Sequence, residues 1–437
     1  MNPTMVGIVG LMVFVVLLFT GLPVGLSMMF MGTAGVVVLR GTRAAFQIVV
    51  GDILTQFSSY TICVVPLFSL MGYLASYSGV GEGLFRLAHK FIGHFDGGLA
   101  LATQAACALF GAICGSMPAT VATFGSIAYP EMKRFNYDDS LSTASIAAGS
   151  SLAVLIPPSM WFIIYGTATE NSVGRLFLAG VPAGLLQMVL YMLTITFMVG
   201  RKPHLAPKSP KATWRDRFGT LLKGGLTEVI FVFLLSMGGL FAGWFTPTEA
   251  GAVGAGGMLF VTAIRRKINL KKLRSALKES VRLSAMIYLL LAGATIYGRF
   301  FALSGIPGRL GNFVTGMSIP PWSVLTVIIL IYLVLGCFID AMPMLLLTIP
   351  IFYPIICGTL GYDPIWYGVV IVVVIAMGSI TPPVGVNVFI LKGVIREVPL
   401  KTMFSGVWPF VIANVVMCLI LIFIPQIVTF LPNLVYG

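Results

Sequence analysis

A chain of 437 residues with 58% hydrophobic and only 9% charged residues, and a mean hydropathy of +1.00, cannot be an ordinary soluble domain, in which about 25% of residues are charged. Its net charge of +13 could point to nucleic acid, but the basic residues lie in short segments between apolar runs, as in a polytopic membrane protein. The six cysteines stand singly in apolar segments with no Cys-x-x-Cys spacing, and read as small buried hydrophobes rather than metal ligands or disulfides.

Residues 1–20 lack a basic leader region and a small-residue cleavage site, which predicts a retained helix rather than a signal peptide. Apolar helices are expected near 5–20, 22–39 and 59–77, each long enough to cross or nearly cross ~30 Å of hydrocarbon. Arg43 to Leu54 and Gly83 to Ile92 are amphipathic and suit the membrane interface. A re-entrant hairpin is expected over about 97–134, because Gly115-Ser116-Met117-Pro118 splits the apolar run into two short arms. Residues 140–170 form a helix broken at Pro157-Pro158, and 176–199 a full span. The segment 201–223, with seven basic residues, one acidic residue and three prolines, reads as a linker. Spans follow at 219–242 and 247–264, the second opened by the capping box Thr246-Pro247-Thr248-Glu249. After a basic segment at 265–282 come a span at 283–303 and a second hairpin over about 320–360, broken near Asp340 to Pro343. A second broken helix covers about 364–396, interrupted at Thr381 to Pro383, and a last span covers 404–432.

The two halves, 1–200 and 224–437, repeat each other. Met117-Pro118 recurs as Met342-Pro343, Pro157-Pro158 as Pro382-Pro383 and Gly111 as Gly336, all 225 residues later. Ser78-Gly79 returns as Ser304-Gly305 and Pro23 as Pro247 at offsets of 226 and 224. One offset held across so many helix breaks is the mark of an internal duplication. With both termini outside, 22 of the 27 basic residues fall on the inside, and the two hairpins enter from opposite faces. The expected fold is therefore an all-α polytopic membrane protein of inverted repeats, with two re-entrant hairpins and two broken helices.

Such broken helices at the midplane are the physical signature of a secondary transporter. Half-helix N-termini offer unpaired N–H groups to an anion, and unwound carbonyls suit Na⁺. The candidate Na⁺ groups of the first half are Gly115, Ser116, Pro118, Thr120, Ile156, Pro157 and Ser159. Those of the second half are Asp340, Ala341, Gly378, Thr381 and Gly385. Asp340 is the carboxylate placed deep in an apolar segment, where an unpaired charge is costly; its alternative role is to cap the hairpin tip. Candidate substrate groups are Ser116, Ser159, Thr381 and Asn387, with Arg299 either meeting the anion or reaching the outer interface. Glu249 is explained by its capping box, and Glu228 is expected at the cytoplasmic interface. With no His-Glu-x-x-His or Gly-x-Ser-x-Gly motif, no catalytic residues and no cofactor are expected.

Several of these stretches also carry a family resemblance. Gly115 to Thr120, Ile156-Pro157-Pro158-Ser159 with Tyr165-Gly166, Leu176-Phe177 with Ala179-Gly180, Thr246 to Ala250, and Gly378 to Asn387 resemble the large membrane subunit of a TRAP (tripartite ATP-independent periplasmic) transporter. The resemblance spans essentially the whole chain. It implies a Na⁺-driven importer of small organic anions, carboxylates or sulfonates, in a bacterial inner membrane. It also implies a periplasmic substrate-binding protein and a small four-helix membrane subunit as partners. Movement of an elevator half that carries both hairpins and both broken helices is implied too. A stand-alone Na⁺/organic-anion symporter of similar architecture is the alternative, and a channel a more distant one.

Overall fold

Capping side chains set many of the helix boundaries. Asn2, Asp138, Ser172, Asn269 and Asp363 each accept a hydrogen bond from a first-turn amide, which satisfies a donor that a helix start leaves without an internal partner. The computed structural model describes residues 2–208, 212–222, 226–316, 320–336 and 339–437, and among these there is no strand. Its first half contains α1 (Pro3–Leu18), α2 (Val24–Arg40), α3 (Thr42–Ser58), α4 (Val64–Ser78) and α5 (Val80–Ile92). Then come α6 (Gly98–Cys114), α7 (Met117–Arg134), α8 (Asp139–Ser150), α9 (Met160–Thr169) and α10 (Val173–Arg201). After the linker helix α11 (Trp214–Leu222) follow α12 (Leu226–Phe241), α13 (Pro247–Ile264), α14 (Leu270–Ser304) and α15 (Ile306–Gly316). The second half closes with α16 (Pro321–Gly336), α17 (Ala341–Tyr353), α18 (Pro364–Gly378), α19 (Val386–Val394), α20 (Leu400–Phe423) and α21 (Gln426–Tyr436). Cys337 and parts of the predicted linker and of the 219–242 span lie outside the described residues.

Both hairpins, α6–α7 and α16–α17, and both broken helices, α8–α9 and α18–α19, are present. The Thr246–Glu249 capping box forms, with the Thr246 amide donating to Glu249 at 2.8 Å. Two expectations need correction. The basic segment 265–282 is not a separate loop: α14 starts at Leu270, capped by Asn269, and runs unbroken for 35 residues, because the stretch contains no proline or glycine before Gly293. The described parts of the predicted span 219–242 fall in α11 and α12. The last span ends at Phe423, ahead of Pro425, and α21 continues it. Helix α15 is new, and it stands in the second half where α5 stands in the first.

The halves interlock crosswise. Helix α2 packs on α14 of the other half, and α13 on α4. Small residues allow the first contact: a Cβ on Gly293 would lie 2.4 Å from the Gly25 carbonyl oxygen, and one on Gly32 2.8 Å from the Tyr297 nitrogen. The same exchange recurs where the broken helices meet the hairpins, α19 lying on α7 and α17 on α9. Helix α10 reveals the inversion. Its 29 residues reach about 43 Å. Just before its start Asn171 donates to the Tyr353 hydroxyl at 3.0 Å, beside the base of the second hairpin. Near its far end Ile195 and Val199 close on Gly97, at the base of the first. The hairpins therefore enter from opposite ends of the molecule.

Buried polar contacts tie α10, the first break and α18 to α20. The Tyr191 hydroxyl of α10 meets Ser151 of the first break at 3.0 Å and accepts from Asn414 of α20 at 2.8 Å. The Trp366 indole of α18 donates to the Leu421 carbonyl of α20 at 2.7 Å. Among the described residues, five continuous helical stretches, Tyr60–Ser78, Val173–Arg201, Leu270–Ser304, Ala341–Thr359 and Leu400–Phe423, are long and apolar enough to cross a membrane.

Candidate functional site

The first hairpin tip turns at Gly115, whose φ of +62° lies in the left-handed region that favours glycine. Space matters there as well, since a Cβ would come 2.6 Å from the Pro158 carbonyl oxygen of the neighbouring break. Ser116 caps α7, accepting from the Ala119 amide at 3.4 Å, while Thr120 donates back to the Ser116 carbonyl at 2.8 Å. At the first break Pro157-Pro158 ends the helical path, and Ser159 caps α9 by accepting from the Trp161 amide at 3.3 Å. The Ser159 hydroxyl also donates to the Val154 carbonyl, so its proton is held within the break. Helix α10 supports the break from behind: side chains added at Gly180 and Gly184 would run into Leu155 and Ile156.

The second half repeats this construction with different chemistry. Asp340 caps α17, one carboxylate oxygen accepting from the Ala341 amide at 2.8 Å. At the second break Thr381 donates to the Met377 carbonyl at 2.7 Å, and the Asn387 amide returns to the Ser379 carbonyl at 2.9 Å. Gly385, at φ +52°, makes the turn into α19. Gly378 lies so close to Gly336 that a Cβ on it would sit 3.1 Å from the Gly336 Cα, which joins break to hairpin.

These four features converge on one cavity of about 340 Å³. The first hairpin gives it Gly115, Ser116, Met117 and Pro118, and α9 gives Met160 and Trp161. The second hairpin adds Asp340, Ala341 and Met342, and the second break adds Ser379, Val386 and Asn387. Tyr73 of α4 and Leu283 and Met286 of α14 close the opposite wall. Met117 bridges the halves, its sulfur accepting from Ser379 at 3.6 Å and from Asn387 at 3.8 Å. Asn387 is almost wholly buried; its Nδ2 donates to the Ala147 carbonyl at 3.2 Å, and its Oδ1 has no hydrogen-bond partner. A buried acceptor left unsatisfied on a cavity wall is costly unless a donor or a cation visits it.

Of the predicted residues, Gly115, Ser116, Pro118, Asp340, Ala341 and Asn387 line this cavity. Thr120, Ile156, Pro157, Ser159, Gly378, Thr381 and Gly385 belong to the surrounding tips and breaks and are not among its lining residues. Arg299 lies elsewhere: its guanidinium makes a two-point contact with the Asp52 carboxylate, at 2.8 and 3.1 Å, and is half exposed. A nearby acid absent from its own segment of sequence is what draws it there. Sequence reasoning missed the apolar and aromatic lining from Tyr73, Met117, Met160, Trp161, Leu283, Met286 and Met342, because such side chains in apolar segments read as core.

Residues 11–427 match the family model described as "Tripartite ATP-independent periplasmic transporter, DctM component". The chain belongs to this family. Among similar TRAP permeases, the C4-dicarboxylate large permease protein DctM of Pseudomonas aeruginosa is 36% identical over 86% of both chains. The sialic acid large permease protein SiaM of Vibrio cholerae is 31% identical over 96% of this chain and 97% of its own. The isethionate permease protein DctMQ of Oleidesulfovibrio alaskensis is 30% identical over 95% of this chain but only 65% of its own. The solved structure of the Alcanivorax borkumensis YdaH transporter shares the fold, with a TM-score of 0.57 over 97% of this chain and 99% of that one, at 14% identity. TRAP permeases are transport components, so the chain is a multi-pass membrane transporter subunit for organic solutes and not an enzyme.

Proposed function

We propose that this TRAP permease is the translocation subunit of a Na⁺-coupled importer of small organic anions in a bacterial inner membrane. Carboxylates are its first substrate class and sulfonates its second. A periplasmic binding protein delivers the anion, and a small four-helix membrane subunit completes the assembly. The observation that carries this reading is the convergence of both hairpin tips and both helix breaks on one cavity. The first turns of α7, α9 and α19 end there, with the N–H groups and positive dipole ends that suit an anion. Asp340 and the unpartnered Asn387 Oδ1 are oxygen acceptors, the ligand type that a hard cation takes. The names of the relatives, for C4-dicarboxylate, sialic acid and isethionate, all refer to organic acids.

In this reading, one Na⁺ group is built from the first tip and break, by Gly115, Ser116, Pro118, Thr120, Ile156, Pro157 and Ser159. The other is built from Asp340, Ala341, Gly378, Thr381 and Gly385. Ser116 and Asn387 meet the substrate, while Ser159 and Thr381 hold the breaks in shape. The hairpins, broken helices, α10 and α20 form the moving body, and α2, α4, α13 and α14 the static one. Na⁺ binding favours the closed tips, and only that differential affinity can drive the cycle. Both termini face the periplasm.

The test is uptake into proteoliposomes under an inward Na⁺ gradient, with labelled carboxylates and sulfonates. This chain is combined with or without its small partner and its binding protein. Uptake that requires Na⁺ and every component supports the proposal. Transport by this chain alone would keep the site and discard the partners, and a non-saturating leak would make it a channel.

A further inference from the structure

The walls of the cavity differ in a way that selects among organic anions. Among the described lining residues none is basic, and Asp340 carries the one full charge. Six apolar side chains, Met117, Met160, Trp161, Leu283, Met286 and Met342, surround the space between the hairpin tips and α14. Arg282, one helical turn before Met286 on α14, does not line the cavity. Toward the tips and breaks an anion meets the N-terminal ends of α7, α9 and α19, where the Ala119, Trp161 and Asn387 amides are already engaged by Ser116, Ser159 and Ser379, and the opposite wall offers the neutral Tyr73 hydroxyl but no cation. The unpartnered Asn387 Oδ1 and the free oxygen of Asp340 are acceptors, so they repel a carboxylate unless a cation lies between.

We infer that the preferred substrate is a monocarboxylate with an apolar body, bound head-first at these helix N-termini with its carbon skeleton against the Met- and Trp-lined wall. This rests on the importer reading above and narrows it. A second carboxylate at the far end of the substrate would be stripped of water against Leu283 and Met286 without a cationic partner, which is the costliest way to bury a charge. Methionine walls adapt to varied apolar shapes, so branched and aromatic bodies are both admitted. The preference differs from the dicarboxylate for which the 36% identical relative is named.

The test compares two acids that differ at one end only. 4-Methylpentanoate places an isopropyl group where succinate has its second carboxylate. Binding of each labelled acid is measured on the full-length chain in lipid nanodiscs, in NaCl and in choline chloride. We expect 4-methylpentanoate to bind at least about tenfold more tightly than succinate in NaCl, an interval of about 1.4 kcal/mol. The variant Met286→Arg supplies the missing cation and should move that ratio at least about tenfold toward succinate. Equal or tighter binding of succinate by the unaltered chain overturns the inference, as does binding of neither acid. The importer reading fails separately, if the complete three-part system takes up no organic acid in response to Na⁺.

Discussion

Asp340 has two carboxylate oxygens, and the α17 cap uses one of them. Asparagine caps a helix about as well as aspartate, so Asp340→Asn should keep the hairpin and the amount of folded protein while removing the charge. The expected result is a Na⁺ activation midpoint raised about tenfold or more, as for loss of a charged partner, read from uptake against Na⁺ concentration. An unchanged midpoint would remove Asp340 from the ion site. Asp340 was legible in the sequence because a lone carboxylate in an apolar segment demands a reason. Asn387 was legible for the same reason, beside a proline pair that breaks its helix. The six apolar lining residues were not, since a methionine facing a cavity and a methionine in a core have the same neighbours in sequence. The Asp52 partner of Arg299 was not legible, since it lies 247 positions away.

The elements that touch across the proposed sliding surface come within atomic distance at α4. A Cβ on Gly72 would lie 2.5 Å from the Cys114 carbonyl oxygen at the first hairpin tip, and the Ser76 hydroxyl stands 3.8 Å from the Cys114 sulfur. Ser76→Cys therefore brings two thiols together. Bridging them with mercuric ion should abolish uptake, and a reducing thiol should restore it, if the hairpin moves against α4. Uptake that persists in the bridged protein would mean that these two elements travel together. Both hairpins and both breaks could be found from prolines, glycines and arm length, because those residues dictate backbone geometry locally. The arm helix α15 could not: its proline and three glycines lower helix propensity, and contacts with α14, α17 and the π-helical turn at Pro354–Thr359 hold it in place.

For the whole molecule, inversion follows from two independent lines, the bias of basic residues and the two ends of α10. The Lys208–Asp96 ion pair, at 3.2 Å, joins the linker to the base of the first hairpin, on the face expected inside. On the opposite face Arg175 donates to the Tyr436 carbonyl at 3.3 Å near the C-terminus. Single cysteines at Lys208 and Tyr436, in a background lacking reactive thiols, should be labelled by an impermeant maleimide from opposite sides. Tyr436→Cys should react in intact spheroplasts and Lys208→Cys only after the membrane is opened. The reverse pattern would turn the molecule over. At this scale the pairing of halves, α2 with α14 and α13 with α4, had no trace in the sequence, since duplication tells which elements correspond and not which ones touch.

The arms α5 and α15 each follow a glycine in the left-handed conformation, Gly79 at φ +79° and Gly305 at φ +69°, with open space around both. If the arms pivot there while the inner body travels, their apolar faces must carry the adjoining lipid with them. The bilayer then becomes a spring in series with the transport cycle, its stiffness set by acyl-chain length. Uptake measured in vesicles of graded thickness should pass through a maximum, and the position of that maximum would locate the height at which the loaded body spends most of its time. A flat response would mean that the arms bend without deforming the membrane.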